Sequence, residues 1–257
     1  MLSIVFIHEM GHFFAAVIFK WRIEKVIFWV FGGVMISSDY GVRKIKEDII
    51  VTLAGPLQHV FIFFILQGLL SFQIVPASVV EMGIFYNKIL LLFNLLPVFP
   101  LDGGKLFFYV LSIFIPYRKA HRFILLFSLI SCIAIILMQV FVLPFTLSAF
   151  ILIVFLYLEN RSEWKNQYYI FIRFLLNRFH SNRGQFKKMN LFVSPSEKLI
   201  NIFTQFRRSK DHDINVNNFG KIQQISEVDT LYLYFKKEKF NETIGEILEE
   251  CDISKES

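Results

Sequence analysis

Apolar residues fill the first 160 positions in long blocks parted by short polar intervals, with little of the alternation that marks a half-buried strand. Five blocks, at about 1–19, 49–71, 84–101, 123–143 and 145–158, are long and apolar enough to read as membrane helices. The last is short and parts from its neighbour only at Pro144, which predicts a tight turn at the far membrane face. The third runs into Pro97 and Pro100, and irregular backbone at membrane depth has to be buried in protein or line a cavity. Residues 1–19 lack a basic start and a small-residue cleavage site, and Lys20, Trp21 and Arg22 follow. They read as a span and not as a cleaved leader.

Between the first two blocks, FWVFGGVMIS (28–37) is apolar but too short to cross. Gly32-Gly33 invites a tight turn, so the segment reads as a re-entrant hairpin, the alternative being an amphipathic loop lying on the lipid. Residues 159–189 mix aromatic and basic positions at roughly helical spacing and predict an interfacial helix and linker. From 190 to 257 the pattern turns soluble, with a SPSEKLINIFTQF helix, a polar turn at Asn217-Asn218-Phe219-Gly220, a strand-like TLYLYF and a last helix ETIGEILEE. The whole predicts an α-helical polytopic membrane protein of about five spans, residues 1–158, followed by a small C-terminal cytoplasmic α/β module.

Composition agrees. The chain is 55% hydrophobic with 32 Phe, above the roughly 45–50% of soluble proteins. Its +6 net charge could suggest nucleic acid, but the distribution of Lys and Arg argues otherwise. Loops are basic at 20–46, bare at 72–83, basic at 105–122, bare at Pro144 and basic after Glu159. That is the positive-inside pattern, with the N-terminus outside and the C-terminal region in the cytoplasm. Lipid is the partner this charge map implies, and nucleic acid is excluded. Cys132 and Cys251 share no ligand spacing and read as one core and one exposed thiol.

Inside the first apolar block stands His8-Glu9-Met10-Gly11-His12. Histidines at i and i+4 share one helix face and can hold zinc, while Glu9 beside them can act as general base. With only 6 His in the chain, a chance HExxH arises roughly one time in a hundred. Ionisable groups inside a membrane are costly and mark function. A catalytic zinc takes a third protein ligand, for which His59 and Asp102 are the candidates. Asp102 follows the Pro97 and Pro100 break and precedes Gly103-Gly104, which could turn its carboxylate inward, and it is preferred. Alone, LDGG would be an ordinary turn. His59 reads as a hydrogen-bonded helix histidine.

HEMGH, Ala54-Gly55-Pro56, and Asn94-Leu-Leu-Pro97 leading to Pro100-Leu-Asp102-Gly103 resemble the site-2 proteases, intramembrane zinc metalloproteases. FGGV, AGPLQH, NLLPVFPLDGGK and PYRKAHR look most like the sporulation stage IV branch, which processes the precursor of sigma factor K. The resemblance implies one Zn2+ held by His8, His12 and Asp102, Glu9 as catalytic base, and Asn94 positioning substrate, where the residue type alone allows a polar group satisfied between helices. It implies that residues 190–257 form a cystathionine-beta-synthase-like regulatory module that binds ATP. It also implies a pro-sigma-K-type substrate, inhibitory sporulation membrane proteins as partners, and residence in the membrane around the forespore; homo-oligomer assembly stays open. Members carry a span ahead of the HExxH helix, and only seven residues precede His8, so one upstream span is expected to be missing. Two other readings are a general site-2 protease cutting an anti-sigma factor, and a non-catalytic metal- or nucleotide-sensing membrane regulator.

Overall fold

The computed structural model describes residues 1–29, 32–37, 43–142, 146–180, 186–218 and 221–249. It divides into two compact units, Met1–Val110 with Phe123–Lys165, and Leu111–Arg122 with Asn166–Ser257.

The first unit begins with α1 (Leu2–Ile18). The helix ends in a Schellman turn: Trp21 N–H reaches the Ala16 carbonyl, 2.9 Å, Lys20 N–H reaches Val17, 2.9 Å, and Lys20 takes a left-handed φ of 55°. An antiparallel pair follows, β1 (Ile23–Trp29) and β2 (Gly32–Ser37). The expected hairpin over 28–37 is therefore part of a longer one, and its glycines do not make the turn. Gly32 and Gly33 lie in β2, paired with Trp29 and Phe28.

Helix α2 (Ile45–Ser71) packs on α1, and α3 (Ala77–Asn94) packs on α2. Small residues set the first contact. A Cβ on Gly11 would stand 2.5 Å from the Ala54 carbonyl oxygen, and one on Gly55 would overlap the His12 ring. Such residues let membrane helices approach backbone to backbone. Ala15, Ala16, Trp21 and Val51 form the core beneath this crossing.

The third apolar block leaves the helix earlier than expected, at Asn94, because Pro97 disfavours helical backbone in the residue before it. The chain over 95–101 folds back, and α4 (Asp102–Phe114), unanticipated from the pattern, starts at once. Its Gly103 and Gly104 sit against that fold-back: a Cβ on Gly103 would overlap the Leu95 carbonyl, and one on Gly104 would lie 2.5 Å from Phe99 N. Irregular backbone here is satisfied by protein. The Phe99 N–H donates to Ser128 Oγ, 2.8 Å, and the Phe99 carbonyl accepts from Asn160 Nδ2. Val98, Cys132, Ile153 and Leu156 close over the segment, so Cys132 is a core thiol as expected. Cys251 and Pro144 lie outside the described residues.

Helix α5 (Tyr117–Phe141) is followed by α6, a single helix over Leu147–His180. The expected short span and separate interfacial helix are thus one element. No Gly or Pro interrupts 147–180, and a change of polarity alone does not end a helix. Among the described residues, α2 and α5 are long and apolar enough to cross a membrane, and α1 is a shorter apolar helix. Phe6, Phe14, Phe61, Phe64 and Ile65 stand exposed on α1 and α2, a distribution suited to lipid and not to water.

The second unit carries a three-stranded sheet ordered β3 (Lys187–Val193), β4 (Lys210–Asn218), β5 (Lys221–Ser226), the first pair parallel and the second antiparallel. A short helix, α7 (Leu199–Phe203), makes the crossover between β3 and β4. Residues 230–235, read as a strand, instead lie in α8 (Glu227–Lys236). The Ser226 hydroxyl caps it by accepting from Asp229 N–H, 3.2 Å, and Glu227, Thr230, Leu231 and Tyr234 are buried at helical spacing. Residues 244–249 are helical, in agreement with ETIGEILEE. Phe219 and Gly220 of the expected turn lie outside the described residues; the Asn218–Lys221 pairing flanks them.

Candidate active site

The motif in α1 and the start of α4 converge. His8 Nε2 and His12 Nε2 lie 3.1 Å apart, and Asp102 Oδ2 stands 3.0 Å from the first and 3.1 Å from the second. His8 is 3%, His12 9% and Asp102 4% exposed, so water does little to solvate this cluster.

Each position has a local cause. Four residues of helix bring the two imidazoles one above the other. His12 lies flat against α2 only because Gly55 has no side chain there. Its Nδ1–H donates to the Val51 carbonyl of α2, 2.8 Å. That bond leaves the lone pair on Nε2, directed at Asp102. Asp102 opens α4, where a carboxylate is favoured by the helix dipole, and the glycines after it let residues 95–101 pack on the same turn. Lys105 Nζ lies 3.5 Å from the other carboxylate oxygen, Asp102 Oδ1.

Two imidazole nitrogens and one carboxylate oxygen form a donor set for zinc. Atoms bound at 2.0–2.2 Å to one tetrahedral centre stand roughly 3.3 Å apart, close to the separations found here. A histidine lone pair beside a carboxylate oxygen also repels it unless a cation or proton lies between. The residues therefore fit a metal ion. Of the other expected site residues, Glu9 is half-buried beside His8 in α1, and Asn94 is the half-buried last residue of α3. The hydrogen bonds described for the cluster do not include Asn94. His59 does not join the three converging ligand atoms but touches the site through His8, 3.1 Å away, and Asn87 lies behind it. Asn87 has no motif around it in the sequence, and its part is seen only in its contact with His59.

Residues 1–75 and 62–138 match the model of peptidase family M50. The chain belongs to that family. This M50 peptidase is 38% identical over 250 residues to stage IV sporulation protein FB of Bacillus subtilis strain 168, covering 96% of the chain and 87% of that protein. It is 31% identical over 157 residues to a zinc metalloprotease of Methanocaldococcus jannaschii, covering 54% of the chain and 44% of that protein. Among solved structures, the site-2 protease from the same archaeon matches with a TM-score of 0.51 and 25% identity, over 63% of this chain and 74% of that one. The chain is a metalloendopeptidase of the site-2 protease type, and the resemblance read from its motifs holds. With the family, its two long apolar helices describe an integral membrane protein.

Proposed function

We propose that this M50 peptidase is an intramembrane zinc endopeptidase in which His8, His12 and Asp102 hold one Zn2+ and Glu9 is the general base. The observation that carries this is the convergence of three buried donor atoms from two helices within 3.1 Å, one helix bearing HExxH. Bound zinc would act as a Lewis acid and bring the pKa of a water towards 7. Glu9 takes the proton of the attacking water and returns it to the leaving amine. His12 and Asp102 are held in place by Val51 and by the packed turn over Gly103 and Gly104, so the donors need no rearrangement during turnover. Asn94, at the end of α3, is proposed to position substrate.

A helical substrate hides its scissile carbonyl, so the peptide has to be extended. The β1–β2 pair offers strand edges to which an extended segment could add. The substrate proposed is a membrane-associated precursor of the pro-sigma-K type, cut during sporulation in the membrane around the forespore, with inhibitory membrane proteins controlling access. The 38% identity to stage IV sporulation protein FB, over 96% of the chain, supports this reading. The basic and bare loops support five spans, a cytoplasmic C-terminus, and residues 190–257 as a regulatory module on that side. ATP at the module finds no support among the relatives.

The test is co-expression with a pro-sigma-K-type precursor, followed by immunoblot, beside Glu9→Gln. Native protein should cut, and the variant should lose about 10²–10⁴-fold in rate while holding zinc. Cleavage by the variant at the native rate overturns the base assignment. Cleavage of an anti-sigma factor but not of the pro-sigma segment redirects the substrate reading.

A further inference from the structure

Behind His8 lies a chain of buried polar groups that the peptidase chemistry does not itself require. His8 Nδ1 is 3.1 Å from His59 Nε2, and His59 Nδ1 is 2.7 Å from Asn87 Oδ1. Asn87 Nδ2 donates to the backbone carbonyl of His59, 2.8 Å. His59 is 1% and Asn87 2% exposed, so each bond replaces one that water would otherwise make. The groups come from three helices, α1, α2 and α3.

The direction of every bond follows from its far end. A backbone carbonyl only accepts, so the Asn87 amide nitrogen has to face it, and Oδ1 has to face the His59 ring. Oδ1 only accepts, so His59 Nδ1 carries the proton. Neutral His59 then presents a lone pair at Nε2, and His8 Nδ1 has to donate to it. The proton of His8 is thereby held on Nδ1, and its Nε2, 3.0 Å from Asp102 Oδ2, keeps the lone pair a metal needs. The opposite direction would set His59 Nδ1 and Asn87 Oδ1 lone pair to lone pair at 2.7 Å. A doubly protonated His59 would bury a full charge between two neutral partners.

We infer that Asn87 and His59 are positioning residues, a relay from α3 through α2 that selects the tautomer and orientation of His8. His12 obtains the same tautomer from a backbone carbonyl, Val51, which no side-chain substitution removes. In the relay the Nδ1 proton of His8 is instead accepted by a side chain, which substitution can remove. The relay also ties α3 to the histidine helix: movement of Asn87 reaches His8 through two hydrogen bonds. The inference rests on the zinc-site reading, since a tautomer matters here only if His8 is a ligand.

The experiment uses the full chain purified in detergent, with histidines labelled at the ring nitrogens. In metal-free protein, nitrogen NMR should place a proton on Nδ1 of both His8 and His59; an unprotonated Nδ1 on either ring overturns the relay, whatever the variants do. Zinc affinity is then measured by chelator competition. Asn87→Leu should weaken it about 10–100-fold, the range for loss of an outer partner of a metal-bound histidine. Asn87→Asp keeps an acceptor for His59 Nδ1–H and should restore most of that loss, a rescue that a purely structural role does not predict. Zinc held by Asn87→Leu as tightly as by native protein overturns the inference. Failure of the site reading looks different: native protein and His8→Ala would then take up the same small amount of zinc, while the nitrogen spectrum still shows the relay.

Discussion

His12 and Gly55 touch across the α1–α2 crossing so closely that a single methyl group on Gly55 would overlap the imidazole. The contact joins the HExxH helix to the Ala54-Gly55-Pro56 segment and holds the ring where Nδ1 meets the Val51 carbonyl at 2.8 Å. Close packing and the orientation of the His12 ring are therefore one feature in this bundle.

Gly55→Ala follows from it as a test. Alanine is the better helix former by about 1 kcal/mol, so α2 has no intrinsic reason to break. The added methyl instead displaces His12. Zinc affinity should fall by at least the ~10–100-fold that a lost outer partner costs, and cleavage should fall with it. Circular dichroism should keep its helical signal. Full zinc occupancy and activity in Gly55→Ala would show that the crossing yields more readily than the contact implies.

Asp102 is the zinc donor proposed from α4, and its replacement separates that role from the fold. Asp102→Asn preserves shape and the start of the helix but removes the charge. Zinc binding should weaken by more than loss of an outer partner would cause, again ~10–100-fold as the lower bound. Metal content after dialysis against a chelator checks it. His59→Gln, whose amide oxygen can accept from His8, should lose less metal than Asp102→Asn.

How far the sequence speaks for the structure depends on whether a feature is local. His8 and His12 are legible because a four-residue spacing means one helix face. Asp102 is legible because prolines and glycines announce a break beside it. Asn87 is not: one amide in an apolar helix acquires meaning only when α2 brings His59 to it. Residues 230–235 misled because aromatic and aliphatic side chains suit a strand, while the deciding signal was the capping serine four residues earlier. Strand β4 is polar, KDHDINVNN, with His212, Ile214, Asn215 and Val216 buried within it. Helix α6 reads as two elements because its composition shifts from apolar to basic, and the two compact units do meet at Lys165–Asn166 within it, but nothing in 147–180 ends the helix.

The backbone ahead of Asp102 is held by two side chains, Ser128 from α5 and Asn160 from α6, both on Phe99. Asn160→Leu removes a donor to the Phe99 carbonyl, a loss of about 0.5–1.5 kcal/mol for one hydrogen bond. Because this segment sets the start of α4, a drop in thermal stability should come with weaker zinc binding. Ser128→Ala, which removes the hydroxyl that accepts from the Phe99 N–H, should act in the same direction. Stability lost without any change in zinc affinity would show that Asp102 is placed independently of the segment.

The second unit carries its own dependence on pH. His212 in β4 is 1% exposed, its Nδ1–H donates to Glu227 Oε2, 2.8 Å, and its Nε2 accepts from the Arg207 N–H, 3.0 Å. Arg178 holds the other carboxylate oxygen of Glu227, 2.6 Å from its Nε, and lies 3.5 Å from Asp211. Burial is the main reason that the His212 pKa falls below its usual 6.5; bonding to Glu227 opposes the fall, and the charge of Arg178 adds to it. A second proton would also displace the Arg207 bond at Nε2. The unfolded chain thus takes up a proton before the folded one does. Stability is fully present above pH 6.5 and declines as pH drops from there towards the lower folded value. One proton sets the steepest slope, about 1.4 kcal/mol per pH unit. Amide exchange in β4, corrected for intrinsic rates, should be faster at about pH 5.5 than at about pH 7.5 in native protein. In His212→Asn, which keeps a donor for Glu227 but cannot titrate, the difference should shrink to the contribution of the remaining groups. An equal pH dependence in the two proteins would assign the effect elsewhere.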